Sequence, residues 1–145
     1  MTHDANCIFC KIIEGSIPSA KVYEDEHVLA FLDLSQVTKG HTLVIPKVHT
    51  ENIFTMDSET ASHYFEKVPM IANGIKEAFQ VEGLNILNNS GSIAGQTVFH
   101  YHMHLLPRYG NEDGFGVTWK SNMENYTNDQ LQNIASTITN KIIKK

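Results

Sequence analysis

The sequence predicts an α+β fold around an antiparallel sheet, and three observations carry that expectation. Five short segments read as strands that follow one another through short connections. One long amphipathic segment reads as a helix set before the last two strands, and a second helical pattern closes the chain. Helices inserted separately, rather than alternating one for one with strands, are the pattern of α+β. At 145 residues, with 41% hydrophobic and 19% charged side chains, a single domain over 1–145 is expected.

The elements follow in order. Lys21–Asp25 and Val28–Asp33 read as two strands around a polar turn at Glu26-His27. Gly40–Pro46 reads as a third, ended by Pro46 because proline cannot donate to a sheet ladder. From Ser58 to Gln80 the apolar residues Ala61, Tyr64, Phe65, Val68, Ile71, Ala72, Ile75, Ala78 and Phe79 recur at three- and four-residue steps, one broad helical face. Asp57 or Ser58 can cap its start, Gly83 can close it, and Pro69 should kink it. Gly83–Ser90 reads as a fourth strand. The last helix begins near Thr127, with capping-box spacing to Gln130 and a stripe of Leu131, Ile134, Ala135, Ile138 and Ile142. Lys141, Lys144 and Lys145 at its end suit the helix dipole.

The fifth strand carries the chemistry. His100, His102 and His104 alternate with Phe99, Tyr101, Met103 and Leu105, the period of a half-buried strand, so three imidazoles share one face. Three histidines on one strand face are costly to bury and poor at packing, which points to chemistry. His3, His27 and His63 lack such context and read as solvated surface.

Bulk properties exclude some functions. Eleven Lys+Arg against sixteen Asp+Glu give a net charge of −5, which provides no broad field for a nucleic-acid polymer. Met1–Asn6 has no basic region, no apolar stretch follows that would make a signal peptide, and the longest clean apolar run, Val28–Leu32, is far too short for a membrane span. A cytoplasmic protein is expected, in which Cys7 and Cys10 form no structural disulfide.

His100-x-His102-x-His104, preceded by Gly95-Gln96 and followed by Leu105-Leu106, resembles the signature of the histidine triad proteins, small nucleotide hydrolases and transferases. The likeness extends back through Cys7–Pro18, Ala30–Asp33, Gly40-His41, Ile45–His49 and Asn88–Gly91, and so covers about residues 7 to 108 in the order of a bacterial member. It implies a five-stranded antiparallel sheet and a two-fold homodimer paired through the long helix and its neighbouring strand. It implies His102 as the nucleophile at the α-phosphorus of a purine nucleotide conjugate, forming a nucleotidyl-histidine that water hydrolyses. His104 would bind the phosphoryl oxygens and His41 would support the histidine network. Asn89, Gln96 and Thr97 match positions that contact phosphate or leaving group, and Gly91 and Gly95 flank a loop whose amides could approach it. Asp33 matches the acceptor of the ribose hydroxyls, and Ile8, Phe9, Phe31 and Leu34 match the apolar pocket for the base.

Cys7-x-x-Cys10 alone is half of a zinc pattern. Zinc-bearing relatives take the other ligands at positions that match His49 and His100, so the resemblance implies a closed, structural Cys₂His₂ zinc site. Two enzyme readings stay open. Nucleoside phosphoramidates and dinucleoside polyphosphates are both substrates within the family, and Leu106-Pro107-Arg108 looks more like the polyphosphate branch. A nucleotide-binding module with little turnover, and a catalytic metal held by the histidine strand itself, are the remaining alternatives.

Overall fold

The computed structural model describes residues 3–143. Backbone contacts divide the chain into two compact units, Met1–Phe115 and Gly116–Lys145, and the histidine run, the two cysteines and the other segments of the family likeness lie in the first.

The first unit is a five-stranded antiparallel sheet with helices on its two faces. Helix α1 spans Ile8–Glu14; β1 is Lys21–Glu24, β2 Val28–Leu32 and β3 Thr42–Pro46; helix α2 is Ser58–Phe79; β4 is Gly83–Leu87 and β5 Met103–Arg108. The strand order is β1-β2-β3-β5-β4, with every neighbouring pair antiparallel. Alternation along β2 explains the layering. Val28 and Ala30 pack with Val44, Met103 and Leu105 against Tyr64, Val68, Ile71 and Ile75 of α2. Leu29 and Phe31 point the other way, packing with Leu43 and Ile45 against Phe9 and Ile12 of α1. Tyr64 is fully buried, and its hydroxyl donates to the Val44 carbonyl at 2.7 Å, so α2 is docked on β3 by apolar area and by one satisfied polar tip.

Helix α2 is continuous past Pro69 and is capped by Asp57, whose side chain accepts from Thr60 N–H at 2.8 Å. Its end corrects the expectation of Gly83. Gln80 adopts the left-handed conformation at φ 53°, and the N–H groups of Gln80 and Val81 both reach the Lys76 carbonyl. Val81 is buried and draws the chain off the helix axis, so Gly83 already stands in β4, opposite Arg108. Helix α1 is an element that the strand and helix patterns above leave out. Cys7 caps it, its Sγ accepting from Cys10 N–H at 3.4 Å, and Gly15 closes it at φ 91°.

The histidine strand is also shorter than expected. β5 begins only at Met103, and residues 98–102 run beside the sheet without laddering. The register pairs Val44 with Met103, so continuing it would set Pro46 opposite Tyr101. Pro46 has no N–H to offer, and Tyr101 N–H turns instead to the Thr50 carbonyl at 2.7 Å.

The second unit contains a short 3₁₀ turn, Met123–Asn125, and helix α3, Asn128–Ile143. The capping box is present: Gln130 N–H donates to Thr127 Oγ1 at 3.2 Å, and Thr127 N–H to Gln130 Oε1 at 2.8 Å. Lys141 lies in its last turn, whereas Lys144 and Lys145 fall outside the described residues. No helix among the described residues is long and apolar enough to cross a membrane.

Candidate functional site

A cavity of about 420 Å³ opens between α1, the end of β2 and the loop before β5. Ten of the residues singled out from sequence line it: Ile8, Phe9, Phe31, Asp33, Leu34, Asn89, Gly95, Thr97, His102 and His104. One end is apolar, walled further by Ile12, Ile17, Pro18 and Leu43. The i, i+4 spacing of Ile8, Ile12 and the buried Phe9 beside them is the signal that could have exposed α1 as a wall of this pocket. The other end holds the two imidazoles, Asn89 and Thr97. A flat apolar group fits the first end and an anion the second.

Hydrogen-bond partners decide what each imidazole can do. Nδ1 of His102 lies 2.8 Å from the His100 carbonyl. A carbonyl only accepts, so Nδ1 carries the proton and Nε2 keeps a free lone pair. Asn88 Nδ2 donates to the His102 carbonyl at 2.9 Å and holds that backbone in place. Asn88 is a supporting residue that local sequence does not reveal, since its bond depends on a contact fourteen residues away.

His41 is buried directly behind His104. Its Nδ1 accepts from Val37 N–H at 3.2 Å, so in the neutral ring Nε2 holds the proton. That nitrogen meets His104 Nδ1 at 2.9 Å and Asp33 Oδ2 at 3.6 Å. His104 thus accepts at Nδ1 and is left with its Nε2–H as a donor. The chain Val37, His41, His104 sets one tautomer by another.

Burial keeps these rings neutral. It pushes His104 down to about 4, with the neighbouring His102 and His41 lowering it further and Asp33 opposing. His102 is lowered chiefly by burial, against the His100 carbonyl and Asp33. His41 is lowered by burial too, while Asp33 and the Ser35 carbonyl favour its charged form.

Gln96 corrects an expectation. Instead of facing the cavity it is buried under the loop: Nε2 donates to the Glu51 and Val98 carbonyls at 2.7 and 3.1 Å, and Oε1 accepts from Gly91 N–H at 2.8 Å. Asn52 Nδ2 reaches the same oxygen at 3.5 Å. Four of the loop amides are committed: Gly91 N–H to Gln96 Oε1, and Ala94, Gly95 and Gln96 N–H to the Gly91 and Ser92 carbonyls. Asn89 and Thr97 bring polar side chains to this end, with Gly95 needed at φ 98° to make the turn beside Asn89.

A second cluster lies behind Phe9, whose ring stands edge-on to His100 at 5.9 Å and to His102 at 5.1 Å. Cys7, Cys10, His49 and His100 bring one ligand atom each within 4.8 Å of the others. The closest approaches are His49 Nδ1 to His100 Nδ1 at 3.2 Å, Cys7 Sγ to His100 Nδ1 at 3.4 Å and Cys10 Sγ to His49 Nδ1 at 3.4 Å. Tetrahedral zinc bond lengths imply N···N edges of about 3.3 Å and N···S edges of about 3.6 Å. The residues fit. His100 Nε2 donates to the Pro46 carbonyl at 2.8 Å, which turns its Nδ1 lone pair inward, and the N–H groups of Cys10 and Asp4 point at the sulfurs. Without a cation, burial pushes the Cys10 thiol up to about 11 and His100 down to about 4.

His27 and His63, expected as separate solvated side chains, are stacked on each other with ring centroids 3.9 Å apart. His3 meets Glu14 at 3.3 Å. Arg108 is committed to Asp113, Asn85 and the Phe115 carbonyl, away from the cavity.

Residues 14–111 match the HIT domain family. The chain is 63% identical over 137 residues to the Protein hit of Bacillus subtilis, covering 94% of both. It is similar to the crystal structure of a HIT family protein from Bacillus anthracis, with a TM-score of 0.91 and 66% identity, covering 94% of this chain and 97% of that one. It is 40% identical over 116 residues to the adenosine 5'-monophosphoramidase hnt1 of Schizosaccharomyces pombe, covering 80% of this chain and 84% of that protein.

Proposed function

The chain belongs to the HIT domain family, and from that premise we propose that it hydrolyses purine nucleotide conjugates of the nucleoside phosphoramidate type through a covalent nucleotidyl-histidine on His102. The observation that carries the reading is the free Nε2 of His102, in a cavity with an apolar end and a polar end where His104, Asn89 and Thr97 stand.

His102 Nε2 attacks the α-phosphorus and forms a P–N bond while the bond to the departing amine breaks. The amine leaves with a proton taken from solvent, and the water that attacks in the second step returns one. Water then attacks the same phosphorus, the P–N bond to His102 breaks, and a mononucleotide is released with the ring restored. His104 donates its Nε2–H to the phosphoryl oxygens, where charge develops, and His41 holds it in that tautomer. Asn89 and Thr97 orient the phosphate, Asp33 accepts from the ribose hydroxyls, and Ile8, Phe9, Phe31 and Leu34 enclose the base. The phosphoramidase hnt1 among the relatives supports P–N cleavage. The likeness of Leu106-Pro107-Arg108 to the polyphosphate branch keeps polyphosphate cleavage as the alternative reading, although the Arg108 side chain itself is committed to its own loop.

Cys7, Cys10, His49 and His100 would hold zinc, which would supply structural cross-linking between α1 and the sheet and no step of the reaction. A homodimer through α2 and β4 fits the unpaired outer edge of β4 and the exposed Phe65, Met70 and Ile86.

The test is turnover of an adenosine phosphoramidate and a diadenosine polyphosphate side by side, with His102→Ala as control. Preference for the phosphoramidate, with kcat/KM falling by about 10³ or more in the variant, is expected. Preference for the polyphosphate moves the protein to the other branch. Tight mononucleotide binding with neither substrate consumed makes it a binding module.

A further inference from the structure

We infer that Gln36 is a positioning residue for the proton-holding side of the site, an inference that rests on the reading of His41 and His104 above. The residues from Asp33 to His41 form a loop that must place three things at once: the Asp33 carboxylate, the Val37 N–H that selects the His41 tautomer, and the His41 ring. One side chain ties that loop across its middle. Gln36 Nε2 donates to the Asp33 carbonyl and to the His41 carbonyl, the latter at 2.8 Å, and Oε1 accepts from Gly40 N–H at 2.8 Å. Both ends of the loop and the residue before His41 are therefore held by one carboxamide.

The chemistry of the residue matters because the pattern asks for two donors and one acceptor on one planar group. A carboxylate of the same length keeps the acceptor but turns a negative charge toward two carbonyls. An apolar chain of similar length keeps neither. The main chain already joins the loop's ends, Asp33 N–H donating to the His41 carbonyl at 3.0 Å. Ser35 N–H to Asp33 Oδ1 at 2.7 Å, His41 N–H to the Thr38 carbonyl at 3.0 Å and Tyr109 Oη to the Lys39 carbonyl at 2.6 Å add to it, but only Gln36 links Asp33, Gly40 and His41 through one group. Gly40 leaves no slack on the outer side, since a Cβ there would come within 2.6 Å of the Phe79 ring. Gln36 is itself exposed, so replacing it removes the tie without opening the core.

The consequence reaches His104 through the imidazole pair. If the loop loosens, Val37 N–H leaves His41 Nδ1, the nearby Ser35 carbonyl becomes the partner, and the proton moves to Nδ1. His41 Nε2 then accepts from His104 Nδ1–H, and His104 turns a lone pair toward the phosphate in place of a donor.

The experiment is nitrogen-15 NMR of the imidazoles in the full-length parent, Gln36→Glu and Gln36→Met, alongside kcat and KM for an adenosine phosphoramidate. The parent should show His41 and His104 protonated at Nε2. Both variants should show mixed tautomers at these two rings only, with kcat lowered roughly tenfold, the size of one lost hydrogen bond, and KM little changed. Unchanged tautomers in both variants overturn the inference, as does a loss of activity that follows a drop in Tm with the two rings undisturbed. The tautomer readout needs no turnover, so it stands apart from the failure of the hydrolase reading, which His102→Ala and the substrate pair report.

Discussion

His100 and His102 are two residues apart, both buried, both neutral, and both touch the ring of Phe9, yet they face opposite tasks. His100 gives its Nε2–H to the Pro46 carbonyl and presents Nδ1 to two thiols. His102 gives its Nδ1–H to the His100 carbonyl and presents Nε2 to the cavity. The side chains are the same, and the difference is which nitrogen a main-chain oxygen occupies. The backbone around an imidazole chooses its free nitrogen, and the free nitrogen chooses its chemistry.

If that division of labour is right, the two clusters should fail in different ways. The largest effect is expected on stability, from Cys10→Ser. Loss of the zinc proposed for this cluster should cost about 3 kcal/mol or more, a fall on the order of 10 °C in Tm, read by calorimetry with metal content measured in parallel. Turnover assayed well below the melting transition should decline far less than it does in His102→Ala. Equal losses from both variants would erase the distinction, and full retention of metal would remove the zinc assignment.

An intermediate effect is expected where the two clusters share a support. Segment 49–53 carries a ligand of one cluster and underlies the loop of the other, through Tyr101 N–H on the Thr50 carbonyl, Gln96 on the Glu51 carbonyl and Ile53 N–H on Ser90 Oγ. Gln96→Glu sets a buried carboxylate against two carbonyls and should cost about 2 kcal/mol of stability. It should also lower kcat/KM roughly tenfold by displacing Asn89 and Thr97. A change in stability with kcat/KM intact would show that the loop holds its shape without this brace.

Gln96 also marks the limit of what the sequence discloses. The residues that line the cavity were legible because their signals are local: an alternating histidine run, Asp33 at a strand end, Asn89 and Thr97 beside glycines. The supporting residues were not. Gln96 stands inside the motif, where the resemblance gives it to phosphate, yet beside its local partners Gly91 and Val98 it is held by the Glu51 carbonyl 45 residues away, which spacing does not disclose. Asn88 and Gln36 act through main-chain groups that converge only on folding. Helix α1 was hidden for another reason: seven residues give two turns, too few for a period, and its cap is a cysteine whose spacing suggests a metal. The strand ends erred by a few residues where Pro46 and Val81 redirect the chain.

The smallest effect is expected from pH. Burial holds His102 below the ordinary histidine value of about 6.5 and takes His104 down to about 4. A group with a lowered value stays neutral to lower pH, so His102 remains unprotonated on the acid side of neutrality. A profile of kcat/KM should run flat from neutral pH through 6.5 and decline only below it. A decline centred at or above 6.5 would mean that His102 is wetter than its burial implies.

The most direct measurement maps the covalent adduct. The protein would be mixed with an excess of adenosine phosphoramidate, quenched during turnover, and digested for mass spectrometry under conditions that spare phosphohistidine-type bonds. One nucleotidyl group on the peptide containing His102, placed on that residue by fragmentation and absent from His102→Ala, is the result expected. An adduct on His100 or His104, or sustained turnover by His102→Ala, would contradict the assignment of the free nitrogen and the mechanism built on it.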